Sequence, residues 1–304
     1  MKNLILQAKS NTEPFLQHEI RSGYDFPFTM NPTIGCFYGC SYCFVPVIQH
    51  KSYQEFSETV KVKGNFPDKI DKRLTQLNNL PQHFKRLQIN ESADPYHPGV
   101  FHGMKKEYGR DLMAEIYEIF RKHWDNGNKW MLHILTKSHL IAEHLDILKD
   151  MKEMVQVEIS ICSPDNDVIR AYEKETPSLD KRLHSIENLS SAGVFVRIMA
   201  MPFLGKRDEA IKLRELCFNS GAKGFKHKGL NYFTMESLLS DNLQPTLGRN
   251  DEIWEELAVK SGEFIGGSID ILWSDKLTDF QLRKVNIVDC GYAELNDVNW
   301  GYIV

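Results

Sequence analysis

The chain has 304 residues, 42% hydrophobic and 26% charged, with 37 Lys+Arg against 41 Asp+Glu and a formal charge of −4. That length can bury a large core, and the slight acidity excludes a strongly basic nucleic-acid binder. No apolar run approaches the ~20 residues that span a bilayer. The opening MKNLILQAKSNTEPF lacks a sustained apolar stretch and a small-residue cleavage site, which points to the cytoplasm and to no membrane partner.

Residues 1–25 read as an N-terminal extension, 26–233 as the core, and 234–304 as a less regular C-terminal region that closes it. FPFTMNP (26–32) is a predicted strand running into a loop with three cysteines. Residues 51–86 carry eight basic and four acidic side chains and read as a solvated, lysine-rich surface. FKRLQIN (84–90) is a second strand, ended by the polar ESADPYHP. GRDLMAEIYEIFRKHWDNG (109–127) has helical spacing, with Leu112, Ile116, Ile119 and Phe120 on one side. WMLHILTKS (130–138) is a strand and HLIAEHLDILKDMKE (139–153) an amphipathic helix.

VQVEISICS (155–163) then gives a strand, 178–193 a helix closing at Gly193, VFVRIMAMPF (194–203) a strand, 205–221 a helix, and 222–233 a sixth strand. Strand-forming residues recur in SIDILW (268–273), within a stretch that is otherwise irregular. Repeated strand–helix order predicts an α/β fold with a parallel sheet and right-handed crossovers. Loops at the C-terminal edge of such a sheet collect the chemistry. The cysteine loop and NESADPYHP both fall at that edge.

Six cysteines in a chain of this size do not suggest a disulfide scaffold. Cys162 and Cys217 sit in apolar contexts and read as buried structural thiols; Cys290 is near the C-terminus. Cys36, Cys40 and Cys43 fall within eight residues, as C-x3-C-x2-C. Structural zinc would need a fourth ligand, such as His50 or a distant residue. A [4Fe-4S] cluster usually takes four thiolates, so three leave one iron open to a small molecule. A second cluster is not expected from cysteines so widely spaced.

CFYGCSYC resembles the radical S-adenosylmethionine superfamily. In that family the open iron chelates the methionine moiety of S-adenosyl-L-methionine, and an electron from the cluster releases a 5′-deoxyadenosyl radical that abstracts a substrate hydrogen. TMNPTIGCFYGCSYCF, LQINESADPYHP, ILTKS, VEISI and the EKETPSLDKRL…AGVFVRIMAMP region together resemble its spore photoproduct lyase and "DNA repair photolyase-like" branch, over residues 26–205. The resemblance implies a partial (β/α)6 barrel with cluster and cofactor inside its top, and a reductant partner such as flavodoxin or ferredoxin.

By position, the resemblance places Ser92 at the methionine amine, Lys137 and Ser160 at its carboxylate, and Tyr42 beside the adenine. Glu173 and Arg182 match supporting positions, where a buried ion pair would fit. Two departures stand out. The branch has a cysteine two residues before the Ser92 equivalent and a tyrosine directly after the third cluster cysteine; this chain has Asn90 and Phe44. Neither an amide nor a phenyl ring offers an easily abstracted hydrogen.

With an acidic chain, duplex DNA would depend on a local basic patch. A small nucleobase-like substrate is therefore favoured, with lyase-type bond cleavage. Queuine lyase is a superfamily member compatible with such a chain, and a DNA or RNA lesion repair lyase is the alternative. Candidate substrate contacts at the mouth are Asn90, Glu91, Asp94, Tyr96 and His97, with His102, Met201, His227 and Asn231 beside them.

Overall fold

The computed structural model describes residues 4–17, 28–80, 84–205 and 207–227. Six strands lie parallel in one sheet: β3 (Phe28–Met30), β6 (Arg86–Ile89), β7 (Met131–Thr136), β8 (Val155–Ser160), β9 (Phe195–Ala200) and β10 (Gly224–His227). The short β2 (Leu16–Gln17) adds antiparallel to β3 at one edge. All six expected parallel strands are therefore present, with narrower bounds. Asn231, Cys290 and SIDILW lie outside the described residues, as do the first two residues of FPFTMNP.

Register explains which side chains meet. Met30, Ile89, Ile134, Val157 and Val196 align across five strands, and all are buried in the common core. Burying one such side chain stabilises by about 1.5–3 kcal/mol. Because side chains alternate along a strand, the intervening residues form the opposite face. That face carries Gln156, Glu158 and Ser160 on β8 and His133 on β7, all buried.

Crossovers follow local signals. Helix α5 (Leu112–Asp125) starts at Asp111, whose carboxylate accepts from Ala114 N, a typical N-cap. Helices α8 (Leu179–Ser191) and α9 (Arg207–Asn219) return the chain from β8 to β9 and from β9 to β10. Gly193 follows α8 at φ +83°, as its predicted stop role requires.

Three local readings change. Residues 98–108 form helix α4 (Pro98–Tyr108), because Pro98 opens a helix with its fixed φ and Gly109 closes it in the left-handed region. The helix expected over 139–153 begins as a 3-10 turn (His139–His144) and continues as α6 (Leu145–Asp150). His144 ends that tight turn with its two ring nitrogens on Tyr96 and Asp111, 2.9 Å each.

The third change concerns residues 51–86, which are not simply a solvated surface. They include helix α2 (Tyr53–Glu58), β5 (Thr59–Lys63) and α3 (Phe66–Gln76), and β5 is the centre of a second sheet between β1 (Leu4–Ala8) and β4 (Thr33–Ile34). Lys85 and Arg86 are buried, and burial pushes the Lys63 ammonium down to about 8.

Candidate active site

The cysteine loop leaves β4 through Gly35. Its φ of +86° suits glycine, and a Cβ there would lie 2.2 Å from the Thr59 carbonyl oxygen, so only glycine fits. Cys36 N then donates to Phe56 O (2.9 Å) and Cys43 N to Cys40 O (3.0 Å), while Tyr53 OH donates to Cys43 O. Ser41 fastens the middle of the loop, with N and Oγ donating to Tyr172 O at 2.9 and 3.3 Å.

All three thiols are free, Cys40 buried and its two companions half-buried. Burial pushes each up to about 12, so metal-free they hold their protons. A cluster must displace those protons on binding. Among the described residues no three Cys, His, Asp or Glu side chains converge as ligands of a single ion would. Thiols that each hold a different iron of a cubane need no such convergence, and three sulfur donors suit iron–sulfur chemistry. The donor set fits the cluster.

Beside the loop lies a dense polar group. Lys137 Nζ donates to Tyr42 OH (2.9 Å), Ser160 Oγ (2.9 Å) and Glu173 Oε1 (2.6 Å), which uses all three ammonium protons. Tyr42 OH donates to the same Glu173 oxygen. Glu173 Oε2 accepts from Arg182 (2.7 Å) and Thr176 Oγ1 (3.0 Å). Arg182 also donates to Thr176 Oγ1 (2.5 Å) and to the Ser160 and Pro177 carbonyls at 2.8 and 3.0 Å. Burial would push the Glu173 carboxyl up; Lys137 and Arg182 outweigh it and hold the group well below the usual carboxylate range.

Helix α7 (Asn166–Tyr172) ends immediately before Glu173, so the turn that holds Ser41 also delivers this carboxylate. Thus Tyr42, Lys137, Ser160, Glu173 and Arg182 come together against the cysteine loop. Ser92 is half-buried on the adjoining loop, with its N donating to Asn31 Oδ1 (2.8 Å).

The mouth residues behave less uniformly. Asp94 accepts from Thr136 Oγ1 (2.9 Å), Lys137 N (2.8 Å) and Tyr96 N (3.0 Å); it clamps its own loop to the end of β7. Burial raises its pKa, and those three donors pull the other way. Tyr96, expected at the mouth, is instead turned into the helix layer, where its hydroxyl meets Tyr117 OH (2.6 Å) and His144. His102 lies on α4 beside Glu143, exposed. Glu91 and Met201 are half-buried, and His227 ends β10. Asn90 is buried at φ +70°.

His97 caps α4, its Nδ1 accepting from Gly99 N (3.0 Å), with its ring against Phe37 and Tyr38. Burial pushes it down to about 4 from an ordinary 6.5, so it is neutral in the fold. The unfolded chain takes up a proton below 6.5 that the fold refuses until about 4. Stability supplied by neutral His97 is therefore full above 6.5 and lost as pH falls through that window. Between pH 7 and 5 the loss is roughly 2 kcal/mol. His97→Asn keeps a capping oxygen without the titration. Urea unfolding at both pH values should show the wild type losing about that much more than the variant; equal losses would remove His97 from the account.

Sequence reasoning treated Cys162 as an ordinary core thiol. It is buried, but it sits two residues beyond Ser160 and feels Glu173, Lys137, Arg182 and Cys40. Burial, then Glu173, push its thiol well above the ordinary range. The signal was its place at the C-terminal end of a strand, the edge where the site gathers.

Open parallel sheet, three-thiol loop and adjoining basic–acidic group define a class, and the family model described as Radical SAM superfamily matches residues 30–217. The chain belongs to that superfamily. Among solved structures it is similar to spore photoproduct lyase complexed with dinucleoside spore photoproduct, at TM-score 0.59 and 16% identity, over 82% of this chain and 69% of that one. At that identity the likeness is one of fold: the partial (β/α)6 barrel expected from sequence.

Two relatives carry no assigned activity. MJ0683 of Methanocaldococcus jannaschii is 25% identical over 169 residues, 55% of this chain and 56% of its own length. ORF301 of Acidianus two-tailed virus is 21% identical over 234 residues, 71% of this chain and 73% of its own. The chain thus spans little more than half of the first relative. No helix among the described residues is long and apolar enough to cross a membrane.

Proposed function

We propose that this chain is a radical S-adenosylmethionine enzyme acting on a small nucleobase-like substrate with lyase-type bond cleavage, queuine lyase activity being one form of that reading. The observation that carries it is the joining of three unpaired thiols to the Tyr42–Lys137–Ser160–Glu173 group through one backbone contact, Ser41 on Tyr172. Cys36, Cys40 and Cys43 would hold a [4Fe-4S] cluster. Such a cluster, with S-adenosyl-L-methionine bound and an electron from a flavodoxin- or ferredoxin-like donor, would supply 5′-deoxyadenosyl radical chemistry.

The chain's own residues bind and orient. Lys137 and Ser160 offer an ammonium and a hydroxyl to the methionine carboxylate. Because Lys137 has no spare proton, the incoming carboxylate takes over an acceptor place now held by Tyr42 or Ser160. Glu173 stays ionised between two cations and keeps Lys137 aimed. Ser92 and Tyr42 are assigned to the amine and the adenine.

Anaerobic reconstitution and chemical reduction should yield 5′-deoxyadenosine from S-adenosyl-L-methionine, even slowly and without substrate. A reconstituted protein that never cleaves the sulfonium ends the proposal. The second reading, lesion repair on nucleic acid, draws on the fold shared with a lyase solved with a dinucleoside photoproduct. It requires retention of DNA or RNA that weakens steeply with salt.

A further inference from the structure

The three thiols do not share one electrostatic setting. Lys137 is the charged side chain felt most at Cys40 and Cys43, whereas at Cys36 it is Asp94. The backbone N–H groups of Tyr38 and Asp94 are also directed at the Cys36 sulfur. Asp94 thus meets this one ligand with both its amide and its charge.

The Asp94 carboxylate is buried, and its bonds suit the ionised form. Two of its partners are the N–H groups of Lys137 and Tyr96. The third, Thr136 Oγ1, itself accepts from Ser138 N (2.9 Å), which leaves the hydroxyl proton for Asp94. Among the described residues no Lys or Arg forms an ion pair with this carboxylate; Lys137 commits its ammonium to Glu173 instead. Nor can the loop easily carry the charge away. Tyr96 O accepts from Ser138 Oγ (2.8 Å), and the Tyr96 phenol is held between Tyr117 and His144.

The potential of an iron–sulfur cluster follows its net charge and the hydrogen bonds to its sulfurs. A negative charge in a weakly screened interior disfavours the added electron, whereas N–H groups on sulfur favour it. We propose that Asp94 is a positioning residue for Cys36 whose carboxylate, clamped by Thr136, holds the potential of a cluster bound there low and so makes it a stronger electron donor to a sulfonium. The proposal rests on the radical-enzyme reading above, and it takes Asp94 out of the candidate substrate contacts.

Full-length protein, reconstituted anaerobically without S-adenosyl-L-methionine, is titrated reductively with mediators and followed by electron paramagnetic resonance. Asp94→Asn removes the charge and is expected to favour reduction at least tenfold, a rise of about 59 mV for one electron. Thr136→Val keeps the charge but removes a donor that disperses it, so the potential should fall. Asp111→Asn retains the cap of α5 and disturbs only the far end of the Tyr96–His144 chain; it should change the reduction equilibrium by less than about twofold. A merely structural Asp94 would not give opposite signs. An Asp94→Asn potential at or below wild type, both site variants moving together, or an Asp111→Asn shift as large as that of Asp94→Asn overturns the proposal. If Asp94→Asn holds no cluster, Thr136→Val decides, and a potential at or above wild type overturns it. A wild-type chain that takes up no cluster overturns the radical-enzyme reading and this proposal with it; uptake with unshifted potentials faults Asp94 alone.

Discussion

Glu173→Ala is expected to lower stability by about 3–5 kcal/mol, the usual result of stripping one partner from a buried ion pair. The carboxylate and Arg182 are both fully buried, 2.7 Å apart, with Lys137 on the other carboxylate oxygen. Alanine would leave a guanidinium in the interior without its countercharge, and water cannot reach it. For a chain of this size the melting temperature should fall by roughly 5–8 °C. Changing Glu173, Arg182 and Lys137 together to Met removes all three charges, so much of the loss should return. A melting temperature within 2 °C of wild type for Glu173→Ala would mean that the pair is solvated and the geometry misread. Acid adds a check. The unfolded carboxyl titrates near 4.5 and the folded one well below, so the contribution is present above that value and disappears as pH falls beneath it.

Changing Cys36, Cys40 or Cys43 singly to Ala should have the opposite profile: a small effect on stability and a very large one on chemistry. Two of these thiols are only half-buried, and the loop is held by backbone bonds to Phe56 and Tyr172 that do not involve sulfur. Loss of even an outer partner of a metal ligand typically costs 10–100-fold, and loss of the ligand itself should exceed that. Each variant is expected to lose the iron–sulfur absorbance and more than 100-fold of 5′-deoxyadenosine formation. Any one of the three that retains both at wild-type level would break the ligand assignment.

Much of the site was readable because its residues sit in short, unusual strings. Three cysteines beside two glycines cannot be a core element, whereas Lys137, which alone would read as a capping or surface lysine, was assigned through resemblance. Glu173 and Arg182 came only through resemblance, since nothing in their spacing distinguishes a buried pair from two surface charges. Tyr96 was misplaced because its neighbours, Tyr117 and His144, come from distant elements that local pattern cannot bring together. Gln156, Glu158 and Arg197 were visible only as polar positions. A strand covered on both faces usually reads as a continuous apolar run, whereas VQVEIS alternates like a strand with a solvated face; only its full burial shows that the polar face is interior.

The single carbonyl of Tyr172 receives both Ser41 donors, and Glu173 is the next residue along the chain. The three thiols and the group proposed to hold the cofactor therefore share a link one peptide long. Filling the nucleoside pocket should slow amide-proton exchange at Ser41 itself, and emptying the iron site should loosen Lys137. On the proposed assignment, loading either half would be felt by the other through that one peptide.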